Sequence, residues 1–246
     1  MIDAVDDKTA LVSFMYVNNE TGAILPAAEI IQGVRRKNPN TLIHCDCVQG
    51  FGKVPFKVFK YDVDLLSASA HKIHGPKGTG CLYIKSGVQI AGRVFGGRQE
   101  SGVRPGTENV AGIVGFGKAC ELVLPRILKN EEYVSALQSK LLDGLNRIPQ
   151  IRLNMPDQHS PFVLNFSVLG IESSDIVTYM STKGIYVSAG SACERGAKSH
   201  VLQAAKLEPT RCAGALRIGL SHQNTVEEVE YFLSELEKFV QNRLNA

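Results

Sequence analysis

The residues best suited to chemistry in this chain stand together at Ser69-Ala70-His71-Lys72. An apolar run, Val63 to Leu66, precedes them, and a tight-turn string, His74-Gly75-Pro76-Lys77-Gly78, follows. A lysine held between an apolar strand and a glycine/proline loop suits a Schiff base to an aldehyde cofactor. Partial burial depresses an amine's pKa and keeps it nucleophilic. Ser69 offers a donor for a phosphate, and His71 a general acid or base. Asp46 and Gln49 lie upstream. Cys193 lies downstream, after the small-residue run Ser188-Ala189-Gly190-Ser191-Ala192.

Such groups need elements to hold them. Leu11 to Tyr16 reads as a buried strand, Thr41 to Cys45 as a second, Leu65 to Ser69 as a third and Gly80 to Ile84 as a fourth. Between the first two, Pro26 to Arg36 reads as a helix with its proline near the first turn. Strand–helix alternation predicts an α/β layer with a mostly parallel sheet. Ligands in such sheets gather at the carboxyl ends of the strands. Asn19, Asp46 and Lys72 each fall near a strand's end, which would bring them to one pocket.

A glycine-rich loop ends at Asn109, and helices are expected over about 110–128 and 131–147. A change of composition near Leu124-Pro125 predicts two domains, 1–124 and a smaller α+β domain, 125–246. In the second, Phe162 to Ser167 is expected as a strand and Ser174 to Lys183 as a helix closed by Gly184. Tyr186 to Ser188 and Leu216 to Ile218 read as short strands. The last helix starts at Thr225, with Glu228 completing a capping box. Its apolar stripe, Val226, Val229, Leu233, Leu236 and Val240, is expected to pack in the core. The stretch around Cys193, through Arg195 and Lys198 to Ser199, reads as a mobile loop whose basic residues either lower the thiol pKa or, the commoner fate of exposed basic residues, merely solvate the loop.

Bulk properties narrow the function classes. The chain has 246 residues, 44% hydrophobic and 21% charged, with a formal net charge of +3. That charge is too mild, and the basic residues too scattered, for a nucleic-acid partner. No apolar run approaches the length needed to span a membrane. Asp3, Asp6 and Asp7 argue against a secretory or transit peptide. Six cysteines without a CxxC pair predict a reducing compartment, the cytoplasm. His44-Cys45-Asp46-Cys47 resembles a metal cluster only superficially, and its thiols are expected to be half-buried structural residues.

Pyridoxal phosphate asks a protein for a lysine, a carboxylate against the protonated pyridine nitrogen, donors for the phosphate and a polar group at the phenolate. Lys72, Asp46, Ser69 with Thr107, and Gln49 could fill those roles in turn. At these residues the chain resembles the cysteine desulfurases of the NifS/IscS kind, in the fold-type-I aminotransferase superfamily. The matching strings are VNNETG (17–22), HCDCVQ (44–49), SASAHKIHGPKG (67–78), RPGTEN (104–109), SAGSAC (188–193) and ALRIG (215–219).

The resemblance implies a pyridoxal 5'-phosphate enzyme that converts L-cysteine to L-alanine and leaves a persulfide on Cys193. Lys72 would carry the cofactor and move the substrate's alpha proton. Asp46 would pair with the pyridine nitrogen, and Gln49 would contact the phenolate. Asn19 would sit near substrate and cofactor, while Ser69 and His71 would help bind phosphate. Thr107 would reach the phosphate of the partner subunit in a homodimer. Arg217 would grip the substrate carboxylate, for which a planar two-pronged guanidinium is the suitable group. A sulfur acceptor is implied as partner, an iron–sulfur scaffold or a tRNA-thiolation factor.

Departures from the family pattern are also visible. Arg98 stands where a third glycine is common, Ser101 where an arginine is common, and Gly219 in place of a frequent serine. The family's N-terminal third, with a phosphate loop and a ring-stacking histidine, is not found ahead of Met1. Three other readings follow: a selenocysteine lyase, an aminotransferase without sulfur chemistry, and a catalytically incomplete fragment or scaffold.

Overall fold

Burial alternates along the first two strands because the sheet they form is covered on one face within its own unit. The computed structural model describes residues 1–56, 61–190 and 199–244. The chain divides into two compact units, Met1–Val17 with Leu25–Ile127, and Asn18–Ile24 with Leu128–Ala246.

In the first unit, β1 (Leu11–Met15), β2 (Leu42–Asp46) and β3 (Leu65–Ser69) run parallel, and β4 (Gly80–Ile84) closes the order β1-β2-β3-β4 antiparallel to β3. The strand β1 is not buried throughout, as its apolar composition suggested. Val12 and Phe14 are buried while Leu11 and Met15 are exposed on the other face. Helix α1 (Ala27–Lys37) lies between β1 and β2 in sequence and buries Ile30, Ile31 and Val34. Its last turn carries Arg35, Arg36 and Lys37, which complement the helix dipole. Arg35 also holds the buried Asp64 at 2.6 Å, and the same Asp64 oxygen accepts the Ile43 amide at 2.7 Å.

Cys45 and Cys47 are fully buried rather than half-buried, with their sulfurs 3.6 Å apart. Two residues apart at a strand end, they share one face and point into the core, opposite to His44 and Asp46. No group of metal-ligating side chains occurs among the described residues. Helix α2 (Val110–Val123) starts under a cap in which Asn109 accepts the Gly112 amide at 3.1 Å. It ends earlier than the expected 128, because Pro125 falls in a 3-10 turn, Leu124–Arg126. Helix α3 (Ile127–Leu145) then begins earlier than expected.

The second unit holds an antiparallel sheet in the order β5-β6-β8-β7. Its strands are β5 (Ile151–Leu153), β6 (Val163–Val168), β7 (Ser188–Ala189) and β8 (Ala215–Gly219). All six residues of β6 are buried. Around them pack Leu137 and Leu141 of α3, Ile176 and Met180 of α4 (Ser173–Thr182), and Val229, Phe232, Leu236, Phe239 and Val240 of α7 (Val226–Leu244). Val226, expected in that stripe, is 38% exposed because it occupies the first turn. The capping box is present: Glu228 accepts the Thr225 amide at 3.1 Å, and Thr225 Oγ1 accepts the Glu228 amide at 3.3 Å. Two short helices, α5 (His200–Ala204) and α6 (Pro209–Ala213), lie between β7 and β8 in sequence and were not expected. The strand expected over 186–188 is shorter and later, since only Ser188 and Ala189 pair with β8 while Tyr186 is 86% exposed.

Candidate active site

Two adjacent parallel strands of the first unit end at the residues of interest. Asp46 is the last residue of β2 and Ser69 the last of β3. Asp46 pairs in register with Ser67, so Asp46, Ser67 and Ser69 share one face of the sheet. Beyond Ser69 the chain makes a single 3-10 turn, Ala70–Ile73, which presents His71 and Lys72 while burying Ala70 and Ile73. The turn is closed on itself: the Gly75 amide donates to Ala70 O at 2.9 Å and the Ala70 amide to Thr79 O at 3.0 Å. Space at Gly75 is tight, since a Cβ there would sit 3.0 Å from Ala70 O and 3.2 Å from Ala119 Cβ. His74 takes the left-handed conformation, φ 65°, that turns the chain away.

Local hydrogen bonds orient the polar groups. Ser69 Oγ lies 2.7 Å from His71 Nδ1. Asp46 Oδ1 accepts the Val48 amide at 2.9 Å, an Asx turn that fixes the carboxylate at the strand end and leads into the turn bearing Gln49. On the same face, His44 is held between Ser13 Oγ at 2.8 Å and Ser67 Oγ at 3.2 Å.

The surroundings of Lys72 are cationic. Lys53, which sequence reasoning passed over, is half-buried, and burial with the nearby Lys72 ammonium pushes its pKa down to about 8. His71 is held below its ordinary value by desolvation and then by the charges of Lys72, Lys77 and Lys53. Four basic groups around one turn, with a carboxylate on the next strand, can receive a dianion at one end and a protonated ring nitrogen at the other. Nothing in the local sequence marked Lys53; its lowered pKa comes from burial and from the fold bringing 53 beside 72.

Thr107 is exposed in the loop before α2, its carbonyl accepting from Arg104 at 3.2 Å. Asn19 and Arg217 belong to the second unit and touch there, with Arg217 Nη1 donating to Asn19 O at 3.1 Å and Nη2 lying 3.4 Å from Ser188 Oγ. Cys193, with Arg195 and Lys198, lies outside the described residues. A cavity of about 450 Å³ in the second unit, lined by Tyr186, Phe232 and Glu228 among others, contains none of the expected site residues.

The aminotransferase class-V family model matches residues 1–232. This chain belongs to the class-V aminotransferase family. Its similarity to proteins named cysteine desulfurase IscS is 43% identity over 247 residues for that of Clostridium botulinum strain Hall and 41% over 246 residues for that of Methanosarcina thermophila. Those alignments cover 98% and 99% of this chain but 62% and 60% of the relatives. A solved NifS-like protein superposes with a TM-score of 0.90 at 41% identity, covering 98% of this chain and 63% of that one. The NifS-like protein of Rickettsia africae gives 0.88 at 30% identity, covering 98% and 64%. This class-V chain therefore spans less than two thirds of the length of each.

Proposed function

We propose that this chain carries the site of a pyridoxal-phosphate-dependent cysteine desulfurase, which converts L-cysteine to L-alanine and leaves sulfur as a persulfide on Cys193. The observation that carries the reading is the strand-end arrangement: Lys72 in a cation-rich turn after β3, and Asp46 at the end of neighbouring β2. The relatives named cysteine desulfurase support the choice of substrate.

The donor set fits the cofactor. Lys72 supplies an amine for an aldehyde, His71 and Ser69 with the neighbouring ammonium groups suit a phosphate dianion, Asp46 suits a protonated ring nitrogen, and Gln49 suits the phenolate. When bound, pyridoxal 5'-phosphate supplies an electron sink that lets a proton leave the substrate's alpha carbon. Lys72 would hold the cofactor at rest and, as a free amine, would take that proton at its Nζ. Arg217 uses two guanidinium N–H groups toward Asn19 and Ser188. A guanidinium has five donors, so others remain to orient a substrate carboxylate. The Cys193 thiolate attacks the substrate sulfur, forming an S–S bond as the C–S bond breaks. The electron pair of that bond would stay with the beta carbon, which takes one proton to become a methyl group, and Lys72 Nζ would return a proton to the alpha carbon to give alanine.

A persulfide is useful when handed on, so the reading includes an acceptor protein, an iron–sulfur scaffold or a tRNA-thiolation factor. It also includes a second copy of this chain served by Thr107, and a cytoplasmic setting. No helix among the described residues is long and apolar enough to cross a membrane.

The test is single-turnover reaction of the cofactor-loaded chain with L-cysteine, read by mass spectrometry at Cys193 and by alanine released. A 32-dalton gain on Cys193 (one sulfur atom), absent in Cys193→Ser, is expected. 3-Mercaptopyruvate in place of alanine, with no gain at Cys193, would move the chain to the transaminase reading. Selenocysteine in parallel separates a lyase for that substrate.

A further inference from the structure

The loop Asn18 to Gly22 is closed by its own residues. Asn18 Oδ1 accepts the Glu20 amide and the Thr21 amide, both at 2.9 Å, and the Gly22 amide donates to Asn18 O at 3.1 Å. Gly22 has φ +73°, and a Cβ there would meet Val163 O at 2.6 Å. The loop's geometry is therefore accounted for without the Glu20 side chain. That side chain is nonetheless buried, with 1% of the residue exposed, and its Oε2 accepts the Ser199 hydroxyl at 2.5 Å. A buried carboxylate is costly unless bonded, and the Ser199 hydroxyl offsets part of that cost.

Ser199 is the first described residue after the stretch that carries Cys193. It is 5% exposed, and its Oγ also accepts the Leu202 amide at 3.1 Å, capping α5 above the fully buried Leu202. Glu20 is itself held from behind. Its carbonyl accepts Asn165 Nδ2 at 3.1 Å, Asn165 Oδ1 accepts Asn154 Nδ2 at 2.8 Å, and Asn154 Oδ1 accepts Arg211 Nη2 at 2.6 Å. On the other side of the stretch, Ser188 lies near Arg217, which donates to Asn19. Two successive loop residues are thus tied to the two described flanks of the cysteine-bearing segment.

We propose that Glu20 is a positioning residue for the sulfur chemistry, its carboxylate gripping Ser199 and so fixing the C-terminal anchor of the stretch that carries Cys193. The inference rests on Cys193 being the nucleophile of the proposed desulfuration. Glutamine at 20 keeps an oxygen that can accept the Ser199 hydroxyl; alanine does not.

The experiment uses the full chain as Glu20→Ala, Glu20→Gln and Ser199→Ala. Trypsin cleavage of the Lys198–Ser199 bond and iodoacetamide alkylation of Cys193 are followed by mass spectrometry, with Cys212 of the same unit as internal control. Losing the Glu20–Ser199 hydrogen bond should raise cleavage in Glu20→Ala by about tenfold, and in Ser199→Ala by at least as much, since that variant also loses the bond to the Leu202 amide. Cys193 alkylation should shift with it, Cys212 should not, and Glu20→Gln should stay near wild type. In the loaded enzyme, kcat for alanine release should fall more than KM for cysteine rises. Wild-type cleavage and alkylation in both alanine variants would overturn the proposal. So would equal acceleration at Cys212, which marks general loosening. The thiol and protease readouts do not depend on turnover. Absence of a persulfide in wild type would therefore sink the desulfurase reading by itself, while these rates still decide the anchor.

Discussion

The two units stabilise their sheets in different ways. In the second, β6 is buried at every residue, and helices α3, α4 and α7 supply Leu141, Met180 and Leu236 at 0–1% exposure around it. In the first, the outward residues of the strands stay open: Leu11 is 49% exposed and Leu82 47%, while the inward Ile43 and Cys45 are fully buried. The first unit keeps a polar sheet face, with Ser13, His44, Asp46 and Ser67 on it, and the turn bearing Lys72 at its edge. Under the proposed function the open polar face is where the cofactor would bind, at the cost of incomplete burial there, while the second unit holds the Glu20–Ser199 contact.

The largest expected effect tests that contrast directly. Phe166→Ala removes a fully buried ring from β6 and should cost about 3–5 kcal/mol in urea unfolding, whereas Leu82→Ala on the open face of β4 should cost well under about 1 kcal/mol. Equal effects would mean that the two sheets are supported alike. Next, Arg35→Met leaves Asp64, 5% exposed, without its cation and should destabilise the first unit by about 3 kcal/mol. A loss under about 1 kcal/mol would show that the Ile43 amide alone satisfies the carboxylate. Thr225→Ala removes the cap of α7 and should cost about 1 kcal/mol in the second unit.

The smallest effect is a pH dependence. Hydrogen bonds from Lys238 and Tyr179, then Lys183, pull Glu235 down to about 2 from an ordinary 4.5. A depressed carboxylate stabilises the fold above its unfolded pKa, so this contribution is complete above about 4.5 and is lost as pH falls toward 2. Glu235→Gln should flatten the acid limb of a stability–pH curve; an unchanged limb would contradict the cluster's role.

Much of this was legible along the chain because it is local. The apolar runs at 65–69 and 80–84 became β3 and β4 with those bounds, and the Thr225/Glu228 box formed as spaced. Short elements were not legible: β5 has three residues and carries no period, and α5 and α6 have five each. Phe232 and Phe239 joined the core beside the expected stripe, since a helix this well covered buries more than one row. Lys53 and the Glu20 carboxylate could not be read, because what defines each is supplied by the fold, burial and then the Lys72 charge for one and the Ser199 hydroxyl for the other.

The central claim is that Lys72, and no other amine, is the cofactor lysine. Lys53 is its natural rival, because its pKa of about 8 leaves much of it neutral under mildly alkaline conditions. Pyridoxal phosphate is therefore added to the chain, the imine is reduced with borohydride, and the digested peptides are mapped by mass spectrometry. The account predicts the pyridoxyl adduct on Lys72, abolished in Lys72→Ala and retained in Lys53→Met. An adduct chiefly on Lys53, or scattered equally over Lys53, Lys72 and Lys77, would contradict it.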